Sequence, residues 1–277
     1  MPADRREASG VAADCRDLVQ IYPSDQGGVT VLRGIHATFP KGTLTSIVGA
    51  SGAGKSTLLR LLACLEAPSA GQVTIAGQPT SRLTARARRR LVARRIGYVF
   101  QRPPDNLIDY LTAAAHLRLA WQMRESATVL DAEQLLASVA LSGAPKKRPD
   151  ELSDGEQQRL AVAIAVAGDP DLIIADEPTA DLDPAGAAAL ADSIVRLTKA
   201  GRTFVVSSHD PVVTDRSDQV LVIRRGVLAA VKSGRGPLRV MVDPAGRIQL
   251  PDEALRQLPG RVAEVVVEGD VITLQQP

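Results

Sequence analysis

Short apolar runs and longer amphipathic stretches alternate along most of this chain. Five runs of four or five mainly apolar residues have the length and the β-branched content of buried strands. Residues 103–168 and the alanine-rich stretch 185–200 show the longer spacing that is typical of helices. Alternating strands and helices around a helical insert predict an α/β fold with a mainly parallel sheet. The predicted strands cover 44–48, 96–100, 172–175, 203–206 and 220–223, and the helices of the insert cover 112–123, 131–139 and 155–167.

The two ends of the chain differ from the middle in their pattern of apolar and polar residues. Residues 1–13 lack an apolar pattern and are expected to be disordered. The main domain is predicted to span 14–228, with an antiparallel β subdomain near its start and a loop at the adjacent glycines 27–28. Gly, Ser and Arg residues make 229–236 a candidate linker. Residues 237–277 predict a small β-β-α-β-β unit, with its helix near 252–258, which at about 40 residues would be marginally stable alone.

Composition narrows the class of protein. The 277 residues are 45% apolar but only 3% aromatic, so Ala, Val and Leu are expected to build the core. The net charge of +2 does not by itself indicate a nucleic-acid-binding protein. Cys15 and Cys64 have neither metal-binding nor redox spacing, which fits a reducing compartment. The first residues lack the apolar core of a signal peptide, and no run of about 18 apolar residues predicts a membrane span.

One charged segment stands out. Residues 82–95 contain seven arginines and no acidic residue. A solvated helix face explains such a run, and contact with acidic lipid headgroups or with an acidic protein partner is the alternative.

The sequence GASGAGKST at 49–57 has the spacing of a phosphate-binding loop. It lies between a predicted strand and a predicted helix, a setting in which backbone N–H groups and a helix N-terminus face anionic oxygens. A plain Gly/Ser turn is the alternative. Lys55 is expected to reach the β- and γ-phosphates, and Ser56 to ligate Mg²⁺. The residues expected around the phosphates are Gly49, Ser51, Gly52, Ala53, Gly54, Lys55, Ser56 and Thr57.

Two further segments fit the same kind of site. An apolar strand ends in Asp176 and Glu177, which would place a Mg²⁺ ligand and a general base for water beside the phosphate loop. An acidic turn after a strand is the alternative for these two residues. Ser153 and Gly155 stand at the predicted start of a helix and can offer a hydroxyl and backbone N–H groups to phosphate.

The order of these motifs resembles the ATPase subunit of ATP-binding cassette (ABC) transporters over residues 14–228. The segment 152–156, Leu-Ser-Asp-Gly-Glu, corresponds to the family's signature, which is usually Leu-Ser-Gly-Gly-Gln. The resemblance implies a P-loop NTPase fold that hydrolyses ATP with Mg²⁺. It also implies a head-to-tail homodimer, in which each ATP lies between one subunit's phosphate loop and the other subunit's signature helix.

The resemblance assigns roles to further residues. Tyr22 corresponds to an aromatic ring under adenine, with a surface aromatic at a strand end as the alternative. Gln101 corresponds to a glutamine that senses Mg²⁺ and the attacking water, and Asp183 to a loop that couples the two ATP sites. His209 corresponds to a histidine that contacts the γ-phosphate. The expected catalytic residues are therefore Lys55, Gln101, Glu177 and His209, the expected Mg²⁺ ligands are Ser56, Gln101 and Asp176, and His36 and His116 match no motif.

Some positions depart from the family's pattern. Asp154 and Glu156 replace Gly and Gln of the signature, and Asp154 would either repel phosphate or point outward as a helix cap. Because the signature serine and second glycine are kept, we expect ATP hydrolysis. Residues 106–112 resemble the segment that docks the membrane partner, but the following 115–117, Ala-His-Leu, differs from the usual Glu-Asn-Val. An unusual partner groove is expected.

The branch and the tail have their own resemblances. Residues 31–35, 58–65 and 94–101 are most similar to the lipoprotein-releasing, macrolide-export and antimicrobial-peptide-resistance branch. That branch implies a separate integral membrane permease, a position on the cytoplasmic face of the membrane, and export or extraction of a lipid, peptide or drug. The tail from residue 242 resembles an AbrB-type swapped-hairpin unit, which pairs as an intertwined dimer and often binds DNA. With six basic and six acidic residues in 229–277, dimerisation is expected and nucleic-acid binding is not.

Two other functions remain as alternatives to transport. A soluble ABC ATPase in DNA repair or translation would generally carry two cassettes or a long coiled-coil insert, and this sequence has neither. A regulator that uses ATP to place its tail on DNA is disfavoured by the neutral tail.

Overall fold

The structure is a computed structural model of the chain, and it describes residues 10–24, 27–81, 83–124, 131–234, 236–242, 248, 250, 256, 264–268 and 271–275. The strands are β1 (Val11–Ser24), β2 (Gly27–Pro40), β3 (Leu44–Val48), β4 (Ala70–Ile75), β5 (Gln78–Pro79), β6 (Ile96–Val99), β7 (Leu172–Asp176), β8 (Phe204–Ser207), β9 (Gln219–Arg224), β10 (Val227–Ser233), β11 (Arg239–Val240), β12 (Glu264–Glu268) and β13 (Val271–Gln275). The helices are α1 (Lys55–Leu62), α2 (Ala85–Arg95), α3 (Ala113–Arg124), α4 (Ala132–Ser138), α5 (Asp154–Val166), α6 (Pro184–Lys199) and α7 (Pro211–Thr214).

Seven strands form the central sheet, in the order β11-β10-β9-β3-β8-β7-β6. The strands from β9 to β6 run parallel, and β10 and β11 are antiparallel at one edge. Because β3, β7 and β8 are buried almost throughout, they appear in the sequence as continuous apolar runs. The predicted α/β fold with a mainly parallel sheet is confirmed. Parallel strands end at the same edge, so this sheet brings together the residues that follow β3, β7 and β8.

A second sheet is antiparallel, with the order β2-β1-β4-β5, and it confirms the predicted antiparallel subdomain. One hydrophobic core joins this sheet to α1 and to the central sheet, and it includes Phe39, Leu58 and Val205. The long strand β1 carries a bulge between Gln20 and Ile21. A bulge re-aims the side chains beyond it, and here it precedes Tyr22.

The helical insert is present as α3, α4 and α5. These helices pack with α6 around a second core that includes Trp121, Leu136, Leu160 and Leu190. The start of α4 is capped by the side chain of Asp131, which accepts a hydrogen bond from a backbone N–H group. None of the helices in the described part of the chain is long and apolar enough to cross a lipid bilayer.

Six of the seven arginines of the run 82–95 lie on helix α2, and the seventh, Arg82, lies outside the described residues. The side-chain cap of α2 is Thr84, whose hydroxyl accepts from the N–H of Ala87 at 3.2 Å. Leu91 is the buried residue of this helix, and Arg95 pairs with Asp171 at 2.9 Å. The side chains of Arg86, Arg89 and Arg90 are exposed, as the solvated-face interpretation predicts. Contact of this face with an anionic surface stays a prediction.

Two predictions near the N-terminus need correction. Strand β1 begins at Val11, because Ala12 and Ala13 are buried in the core beside α1, so the disordered segment predicted for 1–13 does not extend that far. Residues 1–9 lie outside the described residues. Strand β2 begins at Gly27, so the two adjacent glycines pair with β1 and do not form a loop.

The boundary of the tail also needs correction. Strand β10 runs to Ser233 with Ala229 and Ala230 buried, so most of the predicted linker 229–236 belongs to the central sheet. Strand β11 pairs with β10, which joins the start of the predicted tail unit to the same sheet. β12 and β13 pair with each other in antiparallel orientation, and the predicted helix at 252–258 falls outside the described residues except for Arg256.

Candidate nucleotide site

The loop between β3 and α1 has the conformation of an anion cradle. Gly52 and Gly54 have φ of 74° and 106°, a left-handed region that side chains disfavour. Gly54 is the N-cap of α1, and no side chain caps this helix. The first N–H groups of a helix have no partner within it, so the start of α1 offers donors and a partial positive charge to an anion.

Close backbone packing fixes the loop. A Cβ atom on Gly49 would lie 2.3 Å from the carbonyl oxygen of Ile223, and one on Gly54 would lie 2.7 Å from a methyl group of Leu32. The N–H of Gly226 donates to the carbonyl of the loop residue Ala53 at 3.1 Å. Only glycine fits at position 49 without a shift of the backbone. This close contact explains why the motif begins with a glycine, which the sequence alone does not explain.

Three of the predicted catalytic residues meet at the end of the sheet. The ammonium group of Lys55 donates to the carbonyl of Gly49 at 2.8 Å and lies 3.5 Å from a carboxylate oxygen of Glu177. The other carboxylate oxygen of Glu177 is 3.0 Å from Nδ1 of His209. The side chains of Lys55 and Glu177 are 12% and 15% exposed, whereas that of His209 is 75% exposed. The histidine therefore has room to move toward a ligand.

Ser207 holds the carboxylate of Asp176 and the backbone of Glu177, and the sequence did not single it out. Its hydroxyl donates to Asp176 at 2.5 Å and accepts from the N–H of Glu177 at 2.9 Å. Its carbonyl also accepts from that N–H, at 3.0 Å. Glu177 has φ of 44°, an unusual conformation for a side-chain-bearing residue that neighbouring contacts must hold in place. Ser207 ends the apolar strand β8, which pairs with β7. This position is the signal in the sequence that could have indicated its contacts with Asp176 and Glu177.

The donor set fits Mg²⁺ and a polyphosphate. Mg²⁺ prefers oxygen ligands and takes few from the protein when phosphates supply the rest. Ser56 stands at the start of α1, which packs against β7, and Asp176 ends β7. Lys55 and the uncapped N–H groups of α1 supply the positive side of the site. Ser51 and Gly52 are exposed at the mouth of the loop, whereas Ala53 is buried beneath it and Thr57 is partly buried.

The backbone next to Gln101 is held by two amide side chains that the sequence did not indicate. Asn106 accepts from the N–H of Phe100 at 2.7 Å and donates to its carbonyl at 3.2 Å. Gln158, which is fully buried in α5, donates to the carbonyls of Phe100 and Gln101 at 3.2 and 3.5 Å. The side chain of Gln101 is exposed. The signature helix and the Gln101 loop are therefore mechanically connected.

The signature serine caps its own helix. Ser153 Oγ accepts from the N–H of Glu156 at 3.3 Å, and Glu156 accepts from the N–H and hydroxyl of Ser153 at 2.9 and 3.1 Å. This capping box lowers the pKa of Glu156, chiefly through the hydrogen bond from the backbone N–H of Ser153. Ser153, and not Asp154, is therefore the cap of α5, whereas Asp154 is its first residue and is exposed, as the outward orientation considered for it requires.

The remaining predicted residues gather at the starts of α5 and α6. Asp183 caps α6 by accepting from the N–H of Gly186 at 2.6 Å. A Cβ on Gly155 would lie 3.7 Å from the Cα of Gly186, so the two helix starts are neighbours. Among the described residues, no hydrogen bond or ion pair joins Ser153, Gly155 or Asp183 to the phosphate loop. These residues form a second cluster on the same chain.

Tyr22 lies at the end of β1, beyond the bulge. Its hydroxyl donates to Glu66, and Glu66 pairs with Arg60 of α1 at 2.7 Å. The predicted ring under adenine is thus tied to the helix that follows the phosphate loop.

Comparison with known proteins gives close relatives. The profile of the family described as ABC transporter matches residues 32–180. The lipoprotein-releasing system ATP-binding protein LolD of Hahella chejuensis is 36% identical over 222 residues, which cover 78% of this chain and 95% of LolD. The macrolide export ATP-binding/permease protein MacB 2 of Aeromonas hydrophila is 35% identical over 226 residues, which cover 80% of this chain but 34% of that relative. The chain spans about a third of the length of the MacB relatives.

Solved structures give the same result for the fold. The dimeric structure of an ATP-binding cassette in a post-hydrolysis state, bound to ADP and Pi, aligns with a TM-score of 0.72 at 28% identity. The alignment covers 81% of this chain and 100% of that one. The P-loop fold implied by the motifs is therefore confirmed.

Proposed function

The chain belongs to the ABC transporter family, and on that premise we propose that it is the MgATP-hydrolysing subunit of a transporter. The observation that carries this proposal is the position of the Glu177 carboxylate, between Lys55 and His209 at the edge where the phosphate loop ends. There a carboxylate can accept a proton from water that attacks a bound γ-phosphate.

The contacts of the site suggest how these residues act during hydrolysis. Lys55 leaves Glu177 and the Gly49 carbonyl and turns to phosphate oxygens, which frees Glu177 to take the proton of the attacking water. His209 orients the carboxylate and reaches the γ-phosphate. Mg²⁺, held through Ser56, Gln101 and Asp176, would neutralise charge on the phosphates.

We propose that two copies form the complete site. Ser153 and Gly155 lie in a cluster at the starts of α5 and α6, so they are available to the ATP of a partner copy. Ser153 must then exchange its bond with Glu156 for one to phosphate. Binding of two ATP molecules closes the pair, and hydrolysis reopens it. A cassette of similar fold is dimeric.

The membrane partner and the tail complete the proposal. Relatives named for lipoprotein release and macrolide export support a subunit that works at the cytoplasmic face with a separate permease, moving a lipid, peptide or drug. The tail acts as an AbrB-like dimerisation module. Its neutral charge and the exposed apolar residues Val242, Ile248 and Val265 support contact with protein and not with DNA.

Replacing Glu177 by Gln tests the catalytic role. The amide keeps the shape of the side chain but cannot accept the proton, so turnover should fall by about 10²- to 10⁴-fold while ATP binding persists. A closed, ATP-bound dimer should then accumulate, which size-exclusion chromatography with MgATP detects. Lys55→Ala is the comparison, since it should lose binding and dimer together. Normal turnover in Glu177→Gln would refute the assigned role.

Co-purification from gently solubilised native membranes tests the transport role. A tagged chain should bring with it a permease with few membrane spans and a large extracytoplasmic domain. Recovery of a soluble partner or of DNA, with no membrane protein, would leave the ATPase assignment standing and overturn the transporter.

A further inference from the structure

A chain of polar contacts ties Tyr22 to helix α1. The phenolic hydroxyl of Tyr22 donates to one carboxylate oxygen of Glu66. The other carboxylate oxygen pairs with the guanidinium of Arg60 at 2.7 Å. Glu66 is 20% exposed at its side chain, whereas Arg60 is 54% exposed. Because the carboxylate uses both oxygens at once, its orientation is fixed, and so is the direction of the phenol.

The backbone around this tyrosine is held to the same segment. The N–H of Ser69 donates to the carbonyl of Val19 and to the side chain of Gln20, each at 3.0 Å. The hydroxyl of Ser69 accepts from the N–H of Ile21 at 3.0 Å. Gln20 is only 6% exposed. The bulge before Tyr22 is therefore locked onto the residues that follow α1, and the ring has little freedom to shift.

These contacts bridge two parts of the nucleotide site. Tyr22 belongs to the antiparallel sheet, whereas α1 follows the phosphate loop, which connects it to β3 of the central sheet. Burial, and next the hydrogen bond to Glu66, raise the pKa of Tyr22, so its hydroxyl keeps the proton that it donates. With the hydroxyl engaged, the ring is left to make contacts through its apolar face.

We infer that Glu66 is a positioning residue for the nucleotide base: it fixes the ring of Tyr22 at a set distance from the phosphate cradle, and Arg60 holds Glu66 in place. The inference rests on the proposed ATP site. Because the ring of Tyr22 is already held in place, no conformational entropy is lost in ordering it when the base stacks on it. Glu66 therefore contributes to affinity for the base and not for the phosphates.

Two ligands distinguish binding of the nucleotide base from binding of the phosphates. Isothermal titration of the full chain would compare MgATP with Mg²⁺–tripolyphosphate, which has no base. Glu66→Ala should weaken MgATP binding by roughly three- to tenfold and leave tripolyphosphate binding unchanged. Glu66→Gln should lose less, because its amide oxygen still accepts from the phenol. Tyr22→Phe should match Glu66→Ala, and the double variant should lose no more than either single one.

Glu133→Ala is the matched control, since Glu133 is an exposed glutamate on α4. Unchanged MgATP affinity in Glu66→Ala, or an equal loss for both probes, would overturn the inference while leaving the ATP site intact. Failure of the unaltered protein to bind either probe would overturn the ATP site itself, and the inference with it.

Discussion

At the scale of single residues, His116 organises a surface loop from a buried position. Its Nε2 accepts from the N–H of Ile108 at 2.8 Å, and its Nδ1 lies 2.9 Å from the carbonyl of Thr112. A carbonyl can only accept, so Nδ1 carries the proton and the ring is neutral. Burial lowers the pKa of His116, partly opposed by the bond to Thr112. The loop that it holds belongs to the segment predicted to dock the membrane partner.

Acid should release this loop. Because the pKa of His116 is lower in the folded state, the unfolded chain binds more protons, and stability falls as the pH drops below the ordinary histidine value. His116→Gln removes the titration, so between about pH 7 and pH 5 its melting temperature should fall less than that of the unaltered protein, by roughly 2 °C or more. Differential scanning fluorimetry measures this, with the exposed His36→Gln as control. Identical pH profiles would contradict the role.

Residue types at the site were predictable, but many of their partners were not. The flanking strand and helix make Lys55 and Ser56 recognisable, and a parallel sheet brings Glu177 and His209 to the same edge. Ser207 and Gln158 act on residues 31 and 58 positions away in the sequence, and no local pattern marks such a pair. Only the folded chain shows these bonds.

At the scale of elements, one arginine joins three of them. Arg124 ends α3, and its guanidinium donates to the carbonyls of Ile164 and Ala165 at 3.0 and 3.1 Å, to that of Ala167, and to that of Ile96 at 3.4 Å. Burial lowers the pKa of Arg124 to about 10. The side chain thus caps the C-terminal end of α5 and attaches it to the start of β6.

Arg124→Met keeps the length of the side chain but leaves these carbonyls without their donor. We expect the free energy of unfolding to fall by about 2–4 kcal/mol, measured by urea denaturation. Arg118→Met is the matched control, because Arg118 is exposed on the same helix. A loss within about 0.5 kcal/mol of the control would show that water replaces the guanidinium.

The ends of the helices were predicted more accurately than the ends of the strands. The insert helix expected at 155–167 is Asp154–Val166, and the helix expected at 185–200 is Pro184–Lys199, because Ser153 and Asp183 mark their starts. The prediction of a linker at 229–236 failed because it gave more weight to the glycines after residue 233 than to the apolar residues of β10 before them. Pairing with β9, which composition does not reveal, decides that this segment is a strand.

At the scale of the whole molecule, the corrected boundary changes how the tail should be tested. Deletion of 229–277 would remove buried residues of β10 and damage the central sheet. A chain ending at Met241 retains β10 and β11. Without nucleotide it should associate about tenfold or more weakly than the full chain, because it lacks the tail that we propose to be a dimerisation module. Analytical ultracentrifugation measures this, and an unchanged association state would refute the module.

The sequence predicted the class of the fold but not the order of its strands. Alternating strands and helices imply parallel pairing, yet nothing in the apolar runs states which strand lies beside which. In particular, β3, which leads into the phosphate loop, lies between β8 and β9.

That position of β3 has a consequence for synthesis of the protein. Both neighbours of β3 follow it by more than 150 residues, since they begin at Phe204 and Gln219. A growing chain that already contains the phosphate loop and Glu177 still lacks the strands that hold the loop in place. We therefore expect ATP binding only after about residue 224 has left the ribosome, when β9 is complete. Until β8 has emerged, β3 lacks both of its neighbours, and until β9 has emerged it still lacks one, so the incomplete chain exposes an unpaired strand edge of the kind that favours aggregation.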